Sequence, residues 1–228
     1  MYKKLILTSL LPLLLACSND PYDSGDGSLS LMRADFVEAS TDASSRLVGI
    51  ATDDGDVFTV SPAAQVSWVE RPDTVYRALA YYNRREASSG ANTAELLGLT
   101  QVLVPDVVDA SRLGDKDKSD PVVFWSAWKS RNGKYINLDL DVKTGKADGK
   151  DVMQYVGISC ETSVSDTTGK RLFTLKLLHD RNGAPEYYSS KLYVSIPLSS
   201  LPQPLSEGDE VEISIATYDG TVVKSFSL

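Results

Sequence analysis

From Tyr135 to Val142 the chain alternates polar and apolar side chains without a break, Tyr-Ile-Asn-Leu-Asp-Leu-Asp-Val, directly after an Asn132-Gly133 pair. A period of two puts Ile136, Leu138, Leu140 and Val142 on one face of a strand and Tyr135, Asn137, Asp139 and Asp141 on the other. Asn-Gly is the turn chemistry that folds such a strand back on its predecessor. The apolar face predicts core and the polar face predicts solvent. The pattern recurs through the rest of the second half. Asp120-Pro-Val-Val-Phe-Trp-Ser-Ala-Trp opens it, and Met153–Ser163 and Lys170–His179 read as a strand pair across Asp166-Thr-Thr-Gly. Lys191–Pro197, Glu210–Ala216 and Thr221–Ser227 follow, the last two joined by Tyr218-Asp219-Gly220. No segment there repeats at the helical period, so residues 120–228 predict an antiparallel β-sandwich.

Residues 28–110 carry a second set of strands. Leu29–Val37 and Arg46–Thr52 precede Asp53-Asp54-Gly55-Asp56, a hairpin signal that leads into Val57–Val60. Thr74–Asn83 is longer, with Tyr76, Ala78 and Ala80 on one face, and Ala94–Val104 closes the set across the loop Ala87-Ser-Ser-Gly-Ala-Asn-Thr. Five strands with a long third connection predict a small barrel of the OB type rather than a sandwich. Ser111–Ser119 is polar, mixed in charge and without apolar period, so a linker is expected over 111–119. The chain thus reads as all-β, an OB-like barrel followed by the sandwich.

The first 17 residues say where such a chain works. Met-Tyr-Lys-Lys runs into the apolar stretch Leu5–Leu15 and then Ala16-Cys17. A basic start, a short apolar region and a small residue before the cut describe a secretory signal over 1–16, too short to span a bilayer. Leu14-Leu15-Ala16-Cys17 resembles the lipobox of bacterial lipoproteins, which implies a lipid on Cys17 and a membrane as the first partner. One acyl chain binds a membrane with only roughly 10^4 M⁻¹, so two or three make a lasting anchor. Residues 17–27, acidic and nearly without apolar side chains, are expected as a flexible tether. Acidic residues after the lipidated Cys resemble the signal that sends lipoproteins of Bacteroidota to the outer face of the outer membrane, and Ser18-Asn19-Asp20 matches it loosely.

Charge and cysteine narrow the partners. Beyond the leader, 21 basic residues face 31 acidic ones, and residues 28–110 hold 6 Arg, no Lys and 12 Asp or Glu. Such a surface has no stripe of cations to follow a phosphate backbone, which argues against nucleic acid. With Cys17 lipidated, Cys160 has no disulfide partner and reads as a small buried hydrophobe.

Few residues suggest chemistry. His179 is the sole histidine, and with Asp180 and Ser195 it could suggest a hydrolase, but no Gly-x-Ser-x-Gly elbow occurs and Ser195 lies inside a strand. His179–Gly183 reads instead as the mouth of a hairpin. One histidine and one remaining thiol cannot furnish a zinc site. Asp53, Asp54 and Asp56 lack the acidic anchor of a calcium loop. No cofactor or metal is expected. Trp125, Trp128, Tyr187 and Tyr188 lie nearest the turns and form the possible contact surface, for a sugar or a protein. Trp125 and Trp128 differ by three, so a regular strand sends them to opposite faces and one into the core.

The order of these pieces resembles the NigD-like lipoproteins of Bacteroidota. The residues that carry it are Leu14-Leu15-Ala16-Cys17, Arg77-Ala-Leu-Ala-Tyr-Tyr with Leu99-Thr-Gln-Val-Leu-Val-Pro, and Asp120-Pro-Val with Trp128 and Gly133-Lys-Tyr-Ile-Asn-Leu. They continue as Leu175-Lys-Leu-Leu-His-Asp-Arg-Asn, Val194-Ser-Ile-Pro-Leu and Gly208-Asp with Ile213–Gly220. The resemblance implies an envelope protein with an OB-like domain and a β-sandwich, no established enzymatic role, and an association with bacteriocin genes. The resulting expectation is a non-catalytic, lipid-anchored module that binds a protein partner at the outer membrane. Two alternatives stand beside it, a surface glycan-binding lipoprotein and an envelope hydrolase with an acidic site.

Overall fold

A computed structural model describes residues 32–86, 92–165 and 169–227. Cys17, the signal and the tether lie outside the described residues, as does most of the loop 87–93.

The first five strands are β1 (Met32–Thr41), β2 (Leu47–Thr52), β3 (Val57–Ala64), β4 (Val75–Glu86) and β5 (Asn92–Gln101). They close into a barrel in the order β1-β2-β3-β5-β4, with β4 returning to β1. All neighbours are antiparallel except β3 and β5, which meet in parallel at Thr59–Val60 and Thr93–Ala94. This is a closed five-stranded barrel of the OB type. Alternation fills its interior. Ala78, Ala80 and Tyr82 of β4 point inward with Val37, Ile50, Phe58 and Val60, as the sequence spacing predicts. The alanines leave room for two rings, Phe58 and Tyr82, whose centroids lie 5.4 Å apart. The long β3–β4 connection caps the interior with Trp68 and Val69.

Beyond the barrel, β6 (Val107–Asp109) leads into two 3-10 turns, Ala110–Arg112 and Gly114–Lys116, with Leu113 buried between them. These turns occupy the stretch 111–119 expected as a linker. Further strands are β7 (Val123–Lys129), β8 (Tyr135–Thr144), the short pair β9 (Lys146–Ala147) and β10 (Lys150–Asp151), and β11 (Tyr155–Val164). β12 (Arg171–Asp180), β13 (Tyr188–Pro197), β14 (Glu210–Thr217) and β15 (Gly220–Ser227) complete the set. A sheet β15-β14-β12-β11-β6 packs on a sheet β13-β8-β7. Ile136, Leu138 and Leu140 of β8 meet Ile158, Phe173, Leu175 and Ile213 across the core. Cys160 is buried there, and burial pushes its thiol up.

Two features depart from the sequence reading. Alongside the expected antiparallel hairpins, β12 pairs in parallel with β14 and β11 with β6. β12 and β13 also belong to different sheets, so Asp180–Tyr188 is a crossing between layers and not the hairpin expected at His179–Gly183. Local turn chemistry is the same in both cases: Asp180 accepts from the Asn182 amide at 2.8 Å, and Asn182 and Gly183 take positive φ. A turn specifies a reversal, and which sheet the next strand joins is settled by core packing.

Candidate functional site

The polar face of β8 does not simply meet water. The barrel packs on it, and the junction is built around one arginine. Arg77 lies on β4 between the inward residues Tyr76 and Ala78, so its side chain leaves the barrel, yet only 2% of it is exposed. Its Nη1 and Nη2 donate to the two carboxylate oxygens of Asp53 at 2.8 and 2.6 Å. Nε donates to Ser195 Oγ at 3.0 Å and Nη2 to Asn137 Oδ1 at 3.2 Å. Ser195 donates in turn to Asn137 Oδ1 at 2.6 Å, and Asn137 Nδ2 donates to Asp53 at 3.2 Å. The guanidinium lies 4.0 Å from the Tyr135 ring centroid. Two barrel residues and three sandwich residues thus form one closed network. A buried charge is tolerable only when paired and hydrogen-bonded in this way.

Apolar contacts and a clamp flank the network. Phe36 of β1 makes edge-on contacts with Trp128 at 5.3 Å and Tyr193 at 5.5 Å. Glu38 accepts from Lys134 at 2.7 Å and from the Tyr135 hydroxyl at 2.9 Å. Burial would raise the Glu38 carboxyl, but these bonds outweigh it and hold the group below its ordinary value. Burial and the neighbouring Glu38 push the Tyr135 phenol up to about 12. The connecting segment is fixed too. Leu103 N–H donates to Tyr193 O at 2.9 Å and Ser195 N–H to Leu103 O at 2.8 Å, so the passage between domains runs along the free edge of β13.

These contacts correct one sequence expectation and add to another. Asn137, assigned to a wet face, is wholly buried because the barrel covers it. Asp53 sits in a hairpin turn as expected and is also the partner of a buried arginine. Arg77 gave no sequence signal beyond an arginine inside the apolar first half of its strand. Ser195, named with His179 as a nucleophile candidate, is spent on Arg77 and Asn137. His179 lies in the other sheet, buried, with Nδ1 3.0 Å from the Asp120 carbonyl and Nε2 2.8 Å from the Gln154 amide oxygen. The residues do not form a nucleophile and base. Among the described residues no group of three or more His, Cys, Asp or Glu could hold a metal, and no helix is long and apolar enough to cross a membrane.

The four aromatics fall in three places. A β-bulge between Phe124 and Ser126 inserts Trp125 as an extra residue. A bulge breaks the period of two, so Trp125 and Trp128 share the outer face instead of opposing each other, and neither enters the sandwich core. Trp128 closes the junction against Phe36. Trp125 is 60% exposed farther along the face, where its Nε1–H donates to Asp141 at 2.9 Å. Tyr187 and Tyr188 are exposed at the far end of β13, beside Gly145 and Thr144.

The sandwich also presents an incompletely covered edge, which sequence reasoning did not locate. β6 pairs only with Ile158–Cys160 of the ten-residue β11. Beside it lies a cleft of about 620 Å³ lined by Val108, Leu113, Lys116, Tyr155, Gly157 and Leu178. Tyr155, one of its lining residues, is exposed.

Known proteins fit this architecture. Residues 107–227 match the family model of the NigD-like C-terminal beta sandwich domain. Among solved structures, a NigD-like immunity protein from Bacteroides caccae is 25% identical, with 84% of this chain and 91% of that one covered and a TM-score of 0.65. A candidate toxin-related protein from Parabacteroides distasonis, 18% identical, covers 86% of this chain and 92% of its own with a TM-score of 0.63, and shares the fold. So does a candidate lipoprotein from Bacteroides fragilis, 11% identical over 86% of this chain and 96% of its own, TM-score 0.55. No curated protein matches. With a barrel locked onto a sandwich whose whole length fits the family model, the chain belongs to the NigD-like family.

Proposed function

We propose that the chain is a non-catalytic binding module, anchored by a lipid on Cys17 to the outer membrane and exposed at the cell surface, whose partner is a protein that docks along the edge of β11. The observation that carries this reading is the short cover that β6 gives that edge. Strand edges are templates for pairing, and proteins ordinarily guard them. Here the backbone from Tyr155 to Gly157 lies outside the β6 pairing, beside a cleft with an apolar floor. An extended segment of a partner would add backbone hydrogen bonds to the edge and place one apolar side chain over Leu178, in the space that Gly157 leaves open. The likeness to an immunity protein supports a capturing role, in which a toxin-like polypeptide is held at the envelope. The reading of Ser195 and His179 as a nucleophile and its base loses support, because the two are buried in separate sheets with their polar atoms already partnered.

A photo-crosslinking residue in place of Tyr155, in intact envelopes, is expected to capture one polypeptide reproducibly. The same residue in place of Val57, an exposed position on the barrel, should not capture it. Equal capture from both positions, or none from Tyr155, would overturn the edge as the docking site. Replacement Cys17→Ala should abolish palmitate labelling and release the protein from the membrane fraction; labelling that persists removes the anchor.

A further inference from the structure

The bulge in β7 sets one indole on an open ledge, and we infer that this ledge binds a neutral saccharide, at a site separate from the β11 edge. Trp125 is the extra residue of the bulge, a device that re-aims a side chain, and it is among the most exposed large apolar side chains described. Its orientation is held by the bond from Nε1–H to Asp141 Oδ2 at 2.9 Å. Lys191 Nζ lies 5.0 Å from the ring centroid and bridges Asp139 at 2.8 Å and Asp141 at 2.9 Å. Tyr193 adds a second ring 6.0 Å from the same ammonium and continues through Phe36 into the barrel. An aromatic plate, two carboxylates and an ammonium therefore stand together, fixed relative to one another, across the face where the two domains meet.

Charge balance selects the ligand class. Asp139 and Asp141 are matched by Lys191 and by Lys143, which faces the same side two residues along. A cationic ligand would compete with Lys191 for both carboxylates, and an anionic ligand would meet them directly. A neutral polyol does neither. Asp141 is taken up by Lys191 and Trp125, whereas Asp139 is paired with the ammonium through one oxygen, and since an ionised carboxylate has about four lone-pair positions it keeps acceptors for hydroxyl groups. A pyranose has a C–H face that stacks on an indole and an edge of hydroxyls that donate to carboxylates and accept from an ammonium. The ledge offers these complements side by side, and a protein hot spot would instead be ringed by apolar contacts that exclude water.

The test uses the full chain and three neutral hexasaccharide probes, of β-linked glucose, α-linked mannose and N-acetylglucosamine, followed by tryptophan emission. At least one probe should shift the emission saturably. Trp125→Ala should weaken that binding about tenfold or more with the melting temperature unchanged, as the loss of one stacking contact with its hydrogen-bonded surround implies. Asp139→Asn, which keeps the shape and removes the charge, should weaken it as well, whereas Tyr155→Ala should leave it intact. The inference is overturned when no probe shifts the emission, when Trp125→Ala binds as the unaltered chain does, or when crosslinking from position 125 captures a polypeptide and no saccharide. Because Tyr155 and Trp125 are read separately, either site can fail without the other.

Discussion

Asn137 and Asp139 are successive residues on one face of one strand, yet they live in different media. Asn137 is wholly buried under the barrel, bonded to Arg77, Ser195 and Asp53, while Asp139 lies on the ledge paired with Lys191. The same contrast separates Trp128, packed on Phe36, from Trp125, largely open to solvent. One sheet face thus does two things. Its covered half fuses two domains through a network in which every member depends on the others, and its open half leaves Trp125 exposed beside the Asp139–Lys191 pair. Residues that look alike along the strand should therefore respond to substitution in opposite ways.

The largest effect is expected at the centre of the covered half. Arg77→Ala leaves Asp53, Asn137 and Ser195 without their shared donor, and breaking a buried pair of this kind costs about 3–5 kcal/mol. Urea unfolding should show the free energy of unfolding fall by that amount, and a loss below about 1 kcal/mol would mean that the network is solvated and not a lock. Next come the tryptophans. Trp128→Ala should cost about 2–3 kcal/mol as a partly buried aromatic, and Trp125→Ala less than about 0.5 kcal/mol. Equal losses would erase the distinction between junction and ledge. Asn137→Ala strands buried partners and should cost about 1–3 kcal/mol, against about 0–0.5 kcal/mol for Asp139→Asn, whose ion pair is screened by solvent.

A further small effect is one of pH, at the rim where Glu38 meets Lys134 and Tyr135. The Glu38 carboxyl is depressed in the folded protein, so its stabilising contribution is full above the ordinary value of 4.5 and is lost as the pH falls through the lower folded value. With Lys134 mostly exposed, this amounts to less than about 1 kcal/mol. Melting temperatures of the unaltered chain and of Glu38→Gln should converge as acid is added below pH 4.5. A difference that stays constant across that range would assign the clamp to shape and not to charge.

Much of the fold was legible because strand alternation is a local signal. Ile136, Leu138 and Leu140 went to the core, Ala78 and Ala80 to the barrel interior, and the turns at Asn132-Gly133 and Asp53–Asp56 fell where their residues predicted. The family resemblance, drawn from the order of such pieces, agrees with the match over residues 107–227. The candidate sites were less legible. Nothing in β4 distinguishes Arg77 from a solvated arginine until the sandwich is placed over it. The bulge at Trp125 inverts the parity inferred from a spacing of three, and the bare edge of β11 exists only because β6 is short and arrives in parallel from a distant part of the chain.

What the sequence by itself determined is the set of strands, the face each turns to its own core and the turns between many of them, since these follow from steric and hydrophobic preferences acting over a few residues. Tertiary structure alone decided which polar face another domain would cover, which strands would pair in parallel and which edge would stay open. Those outcomes depend on burying surface between segments as far apart as Arg77 and Ser195, where the desolvation of one charged group is repaid only by partners from both domains.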